Sequence, residues 1–192
     1  SSDLALVGIY VFNPSIHQAI EQISPSERGE LEITDAIQKL VDCSYKITTK
    51  ILEDWWIDTG KKDDLLQANQ IVLNENTRYN NKGNIDSLSY IYGPVEIEEG
   101  SSIINSRIYG PVVIGANTKI INSIIDSHCS IGPNSLIKNS YLKQSVALSE
   151  VKIKYVNKIE NSILGHRATV IKSNTDNSSA NVIIGDDTEV LL

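Results

Sequence analysis

The chain has 192 residues, 41% hydrophobic and 21% charged, enough for one or two globular units with a real core. Its net charge of −7 argues against a nucleic-acid surface, which needs clustered lysine and arginine. No apolar run approaches the length of a membrane span, and no basic stretch leads into an apolar one as in an export signal, so a cytoplasmic protein without a membrane partner is expected. Cys43 and Cys129 share no motif spacing and read as two reduced thiols. The sequence contains no Met, so a piece cut or processed from something longer is expected.

Two domains are expected, residues 1–76 and 77–192. Leu4 to Phe12 is a continuous apolar run, which suits a strand buried on both faces of a parallel sheet. Asn13-Pro14 reads as the N-cap and first position of a helix carrying Ile16, Ala19, Ile20 and Ile23, ended by Ser24-Pro25. A second helix is predicted from Thr34, with Asp35 near its positive end and Ile37, Leu40 and Val41 inward. Tyr45–Leu52 reads as strand, Asp58-Thr59-Gly60 as a turn, and Lys61–Leu73 as a third helix. Strand–helix–helix–strand–helix is part of an α/β layer, too strand-poor to close such a sheet alone.

Two stretches here can carry chemistry. Arg28-Gly29-Glu30-Leu31-Glu32-Ile33-Thr34-Asp35 places a guanidinium ahead of a helix, which suits either phosphate binding or a solvated, capped loop. Asp54-Trp55-Trp56-Ile57-Asp58-Thr59-Gly60 ends a strand with aspartates beside tryptophan, which suits either a hard cation or a glycine turn with a local hydrogen bond.

Asn74–Asn84 is polar, contains Gly83 and reads as a linker. A 17-residue repeat follows. Its aliphatic anchors are Ile97, Ile103, Ile108, then Ile114, Ile120, Ile125, then Ile131, Ile137, Leu142 and Leu148. Small residues stand two before them in three columns: Val95, Val112, Cys129, Val146; Ser101, Thr118, Ser135; Ser106, Ser123, Ser140. Residues two apart share a strand face, so anchor and small residue both point inward and successive coils stack into ladders such as Ile97–Ile114–Ile131–Leu148. Asn105-Ser106, Asn122-Ser123, Asn139-Ser140 and Asn161-Ser162 read as corners. The longer step to Asn161 predicts about five residues inserted near Glu150–Asn157. Leu164, Val170, Ile184 and Val190 keep the rule, and Lys172–Asn181 reads as an extruded polar loop.

Leu6-Val7-Gly8-Ile9-Tyr10, the Arg28–Asp35 motif and Trp56-Ile57-Asp58-Thr59-Gly60, in that order, resemble the C-terminal half of the sugar-1-phosphate nucleotidylyltransferases, nearest to the glucose-1-phosphate thymidylyltransferases. The repeat resembles the hexapeptide repeat of left-handed parallel β-helices, and Ile184-Gly185-Asp186 resembles the end of the long-form enzymes. The resemblance implies an α/β nucleotidyltransferase remnant followed by an all-β left-handed β-helix. The left hand comes from the resemblance, since general topology favours right-handed crossovers. It also implies transfer of a nucleotidyl group from a nucleoside triphosphate to a sugar 1-phosphate. Arg28 would hold the sugar phosphate, Val7 and Gly8 would line the sugar pocket, Glu30 would support it, and Asp58 would bind Mg2+. The family's Gly-rich nucleotide signature, second metal aspartate and phosphate lysine are not found here, so the chain alone is expected not to turn over. The length match implies a β-helix that serves oligomerisation or regulation; a hexapeptide β-helix also suggests, as the alternative, an acyltransferase with His128 or His166 as base, as in archaeal relatives that acetylate amino-sugar phosphates. A structural module is a third possibility, with a homo-oligomer expected and a trimer ahead of a dimer.

Overall fold

In the computed structural model of the chain, residues 4–172 and 183–191 are described. The chain divides into two compact units, Ser1–Trp56 and Ile57–Leu192.

The first unit is built on two helices, α1 (Ser15–Ile20) and α2 (Ile33–Asp42). Asn13 caps α1 as predicted, its Oδ1 accepting from the Ser15 N–H at 3.1 Å. The helix ends at Ile20, short of Ile23. Ile16 and Ala19 pack on Ala36 and Leu40 in a small core. The C-terminus of α2 is closed by Ser44 at φ 62°: the Tyr45 N–H reaches the Leu40 carbonyl (3.0 Å) and the Ser44 N–H the Val41 carbonyl (2.9 Å).

The strands expected at Leu4–Phe12 and Tyr45–Leu52 do not form. A strand exists only by hydrogen bonding to a neighbour, and a strand buried on both faces also needs layers above and below. Among the described residues neither run is paired in a sheet, and Val11 is 95% and Ile9 73% exposed.

Among the described residues the second unit holds α3 (Lys62–Asn76) and three parallel sheets. Sheet I has seven strands: Asn80–Asn81, Val95–Ile97, Val112–Ile114, Cys129–Ile131, Val146–Ala147, Ile163–Leu164 and Ile183–Ile184. Sheet II has seven: Asn84–Ile85, Ser102–Ile104, Lys119–Ile121, Leu136–Lys138, Lys152–Lys154, Thr169–Ile171 and Glu189–Leu191. Sheet III has five: Tyr90–Tyr92, Arg107–Tyr109, Ile124–Ile125, Tyr141–Lys143 and Ile159–Glu160. The chain visits I, II and III in turn, a parallel β-solenoid consistent with a left-handed β-helix. Sheet II stacks Ile85, Ile103, Ile120, Ile137, Ile153, Val170 and Val190, and sheet III stacks Ile91, Ile108, Ile125, Leu142 and Ile159. Each fully buried isoleucine or leucine contributes about 1.5–3 kcal/mol.

The serine columns do more than fill space. Ser106 Oγ donates to the Ile104 carbonyl (2.7 Å) and accepts from the Ser123 N–H (3.0 Å). Ser123 repeats this with Ile121 and Ser140, and Ser140 with Lys138 and Val156. Ser101, Thr118 and Ser135 form a second such chain. Corner backbone groups that no strand pairs are thereby satisfied inside the core.

Three repeat assignments change. The ladder runs Ile97, Ile114, Ile131, Ala147, Leu164, Ile184, so Ala147 and not Leu148 is the anchor. Ser145, not Val146, fills the small slot. Its hydroxyl donates to the Lys143 carbonyl (2.7 Å) and accepts from the Ser162 N–H (3.2 Å), which valine cannot do. Nor is there an insertion near Glu150–Asn157. Asn105, Asn122, Asn139 and Tyr155 turn from sheet II to III, all at positive φ, whereas Asn161 shares the III-to-I corner with His128 and Gln144. Gly83 lies in the first coil, not in a linker: a Cβ there would meet Ile97 Cγ2 at 2.7 Å and the Ser101 carbonyl oxygen at 2.8 Å. The polar-loop expectation falls, from Ser173 on, outside the described residues.

Candidate functional site

The Arg28 motif forms a tight turn immediately before α2. The Ser26 N–H donates to the Glu30 carbonyl and the Gly29 N–H to the Ser26 carbonyl, both at 2.8 Å, and Gly29 sits at φ 79°. Arg28 Nη2 and Nε both donate to one oxygen of Glu32, Oε1, at 2.8 and 3.1 Å, while Glu30 lies 3.8 Å from Nη2. Ser26 Oγ donates to the same Glu32 oxygen at 2.9 Å. The Arg28 hydrogen bond, with that from Ser26, holds the Glu32 carboxyl below its usual range. The Arg28 side chain is 72% exposed, and a guanidinium just ahead of a helix is a chemistry that suits a phosphate. Glu32 is a partner that the motif reading did not single out, although its i,i+4 spacing from Arg28 announces it.

Val7 is half-buried and Gly8 exposed in the stretch before α1. Gly8 stands at φ 75°, with nothing within 4 Å of where a Cβ would be; backbone geometry, not space, asks for glycine.

Asp58 belongs to the second unit. Its Oδ1 accepts from the Gly60 N–H at 3.2 Å in the turn leading into α3, leaving Oδ2 free. Among the described residues no three His, Cys, Asp or Glu side chains converge as a complete metal cage. A single carboxylate fits Mg2+, which takes one or two protein ligands and fills its octahedron with water and phosphate oxygens.

α3 is tied to the solenoid at several points. Asn69 Nδ2 donates to the His128 carbonyl (3.2 Å), Ser130 Oγ donates to Asn69 Oδ1 (2.6 Å), and Lys62 Nζ donates to the Asn161 carbonyl (3.0 Å). The turn carrying Asp58 is thus held by a helix anchored on sheet I and its corners. Nothing in residue type singled out Asn69, because its partners come from residues about 60 positions away.

The two candidate histidines, His128 and His166, lie on different corners. His128 sits at φ 61°, its Nε2 3.1 Å from Asn74 Oδ1 of α3, and its Nδ1 is buried without a hydrogen-bond partner. Burial lowers its pKa, only partly offset by Asp126, while Lys143 lowers it further. His166 Nδ1 lies 2.9 Å from Ser149 Oγ, and its backbone N–H donates to Asp186 Oδ1 at 2.7 Å. Cys129, filling a small slot, is fully buried, and burial pushes its thiol up to about 12.

Residues 1–75 match the family model of the nucleotidyl transferases. The chain is 39% identical over 185 residues to the glucose-1-phosphate thymidylyltransferase of Streptomyces griseus, covering 96% of this chain and 52% of that protein. It is 41% identical over 189 residues to that of Streptomyces antibioticus, covering 98% and 53%. A bifunctional sugar-1-phosphate nucleotidylyltransferase/acetyltransferase of Sulfurisphaera tokodaii is 37% identical over 102 residues, 53% of this chain and 25% of that protein. The chain spans about half the length of the thymidylyltransferases it matches. Among the described residues no helix is long and apolar enough to cross a membrane. Residues 1–75 thus carry the likeness to the nucleotidyl transferases, and the chain joins that segment to a parallel β-solenoid.

Proposed function

We propose that the chain supplies the sugar-phosphate and metal side of a glucose-1-phosphate thymidylyltransferase, which joins dTTP and glucose 1-phosphate into dTDP-glucose and releases pyrophosphate. The similarity to thymidylyltransferases across both the helical segment and the solenoid carries this reading. Residues 1–76 act as the C-terminal part of the nucleotidyltransferase domain and residues 77–192 as its β-helix platform. In-line phosphoryl transfer needs positioning and charge neutralisation more than a covalent catalyst. Arg28 binds the sugar phosphate by exchanging its contacts with Glu32 for phosphate oxygens. Glu30 buttresses that turn, and Val7 and Gly8 line the sugar. Asp58 would hold Mg2+, which would supply charge to offset that of the phosphates. The solenoid fixes Asp58 through α3 and assembles the protein as a homo-oligomer, a trimer first, which mass measurement in solution tests.

The sequence holds no Gly-rich nucleotide loop, so the 192 residues alone form no pyrophosphate. Co-expressed with the part of the Streptomyces griseus relative that this chain does not cover, they release it from dTTP and glucose 1-phosphate, and Arg28→Ala abolishes the gain. Turnover by the chain alone, or an active Arg28→Ala pair, refutes the assignment.

Acyl transfer is the second reading, favoured by the Sulfurisphaera tokodaii relative's name. His128 is poorly placed as a base, with one ring nitrogen on Asn74 and the other buried; His166, beside Ser149, is the better candidate. Acetyl-CoA turnover with glucosamine 1-phosphate, lost in His166→Ala, supports it; no turnover above background removes it.

A further inference from the structure

The solenoid carries a cleft of about 200 Å³ between sheets II and III, lined by Leu88, Asn105, Arg107, Asn122, Ser123 and Ile124. We propose that this cleft binds a phosphorylated monosaccharide. Arg107 carries the inference. The chain has four arginines. Arg28 is bound to Glu32, Arg78 to the Thr77 carbonyl and Arg167 to Asp187. Among the described residues the Arg107 guanidinium alone has neither an ion pair nor a hydrogen bond. It also stands in register with Tyr90 and Ile124 on the flanking strands, with Tyr141 beyond. A free five-donor fork suits a phosphate, which it can grip with two parallel hydrogen bonds.

The rest of the lining suits a sugar. Asn105 Nδ2 donates to Asn122 Oδ1 at 2.9 Å, which holds both amides in place. That bond leaves Asn105 Oδ1 as an acceptor and Asn122 Nδ2 as a donor, the pairing a ring hydroxyl requires. Leu88 and Ile124 offer apolar walls for the C–H face of a pyranose, and Tyr90 stands beside Arg107 on the neighbouring strand. The volume lies below the roughly 300–1,000 Å³ usual for drug-sized ligands, which suits a single sugar unit. The site is built wholly on the solenoid and does not depend on the catalytic assignment.

The test titrates the 15N-labelled full chain with glucose 1-phosphate and follows the side-chain amides of Asn105 and Asn122. These resonances shift saturably in the wild type and in Arg28→Gln. In Arg107→Gln the dissociation constant rises about tenfold or more, as loss of a charge-assisted contact implies. Arg107 is exposed, so the variant folds, and an unchanged Ser123 backbone amide verifies this. Glucose alone binds more weakly than its phosphate. Three results overturn the proposal: no amide shift at millimolar ligand, equal affinity in Arg107→Gln, or equal shifts with inorganic phosphate alone, which leaves an anion site without sugar recognition.

Discussion

Ser123→Ala tests the claim that the serine columns are hydrogen-bonding devices and not merely small residues. The Ser123 hydroxyl donates to the Ile121 carbonyl at 2.7 Å and accepts from the Ser140 N–H at 3.1 Å, in a side chain only 3% exposed. Alanine fits the slot but leaves the Ser140 N–H without a partner, while the Ile121 carbonyl keeps the Asn139 N–H at 3.0 Å. A buried polar group stripped of its partner costs about 1–3 kcal/mol, which is the loss predicted here. For a unit of this size that lowers Tm by roughly 3–10 °C. Scanning calorimetry measures the shift, and hydrogen exchange locates it, with protection of the Ser140 amide falling ahead of the rest. Ser123→Cys, similar in volume but a weak donor, shifts the same way by less. A Tm within 1 °C of wild type, with Ser140 protected as before, refutes the hydrogen-bonding account and leaves the column as packing alone.

Further outcomes follow from single environments. The folded state disfavours charged His128, so its folded pKa lies below the ordinary value near 6.5 and the unfolded chain binds the extra proton. Its stabilising contribution is therefore complete above that value and is lost as pH falls below it; His128→Gln flattens the stability profile of urea melts between pH 7 and 5. Cys129 is buried with its thiol raised to about 12 while Cys43 is exposed, so a thiol reagent titrates one group per native chain and two after denaturation. Lys138 and Lys154 face each other in register on sheet II, so Lys154→Glu replaces repulsion by attraction and stabilises by about 0.5–1 kcal/mol, an effect that 1 M salt erases.

The anchors from Ile97 to Leu142 were legible because each of the first coils uses the same count of residues, so chain distance alone sets the stack. The fourth coil was not, because Gln144 turns the corner one residue early and moves the inward set from Val146 and Leu148 to Ser145 and Ala147. Hydrophobicity favoured the valine. The hydroxyl needed by the Ser162 N–H decided for the serine, and that requirement exists only once two coils are stacked. The Arg28 loop ahead of α2 was legible for the opposite reason, being local: Ser26, Gly29, Glu30 and Glu32 are all within four residues, although Glu32 was not singled out as the partner.

By itself, then, the sequence determined what is periodic or local: the repeat length, most of the core, the three helices and the Arg28 turn. Tertiary structure decided what depends on distant partners. The apolar runs at Leu4–Phe12 and Tyr45–Leu52 have strand composition and no strand, because a ladder needs a second edge. Gly83 has linker composition and no freedom, because Ile97 and Ser101 close over it. Asp58 is a short turn in sequence, but its place is set by α3 and by the hydrogen bonds that pin α3 to His128, Ser130 and Asn161.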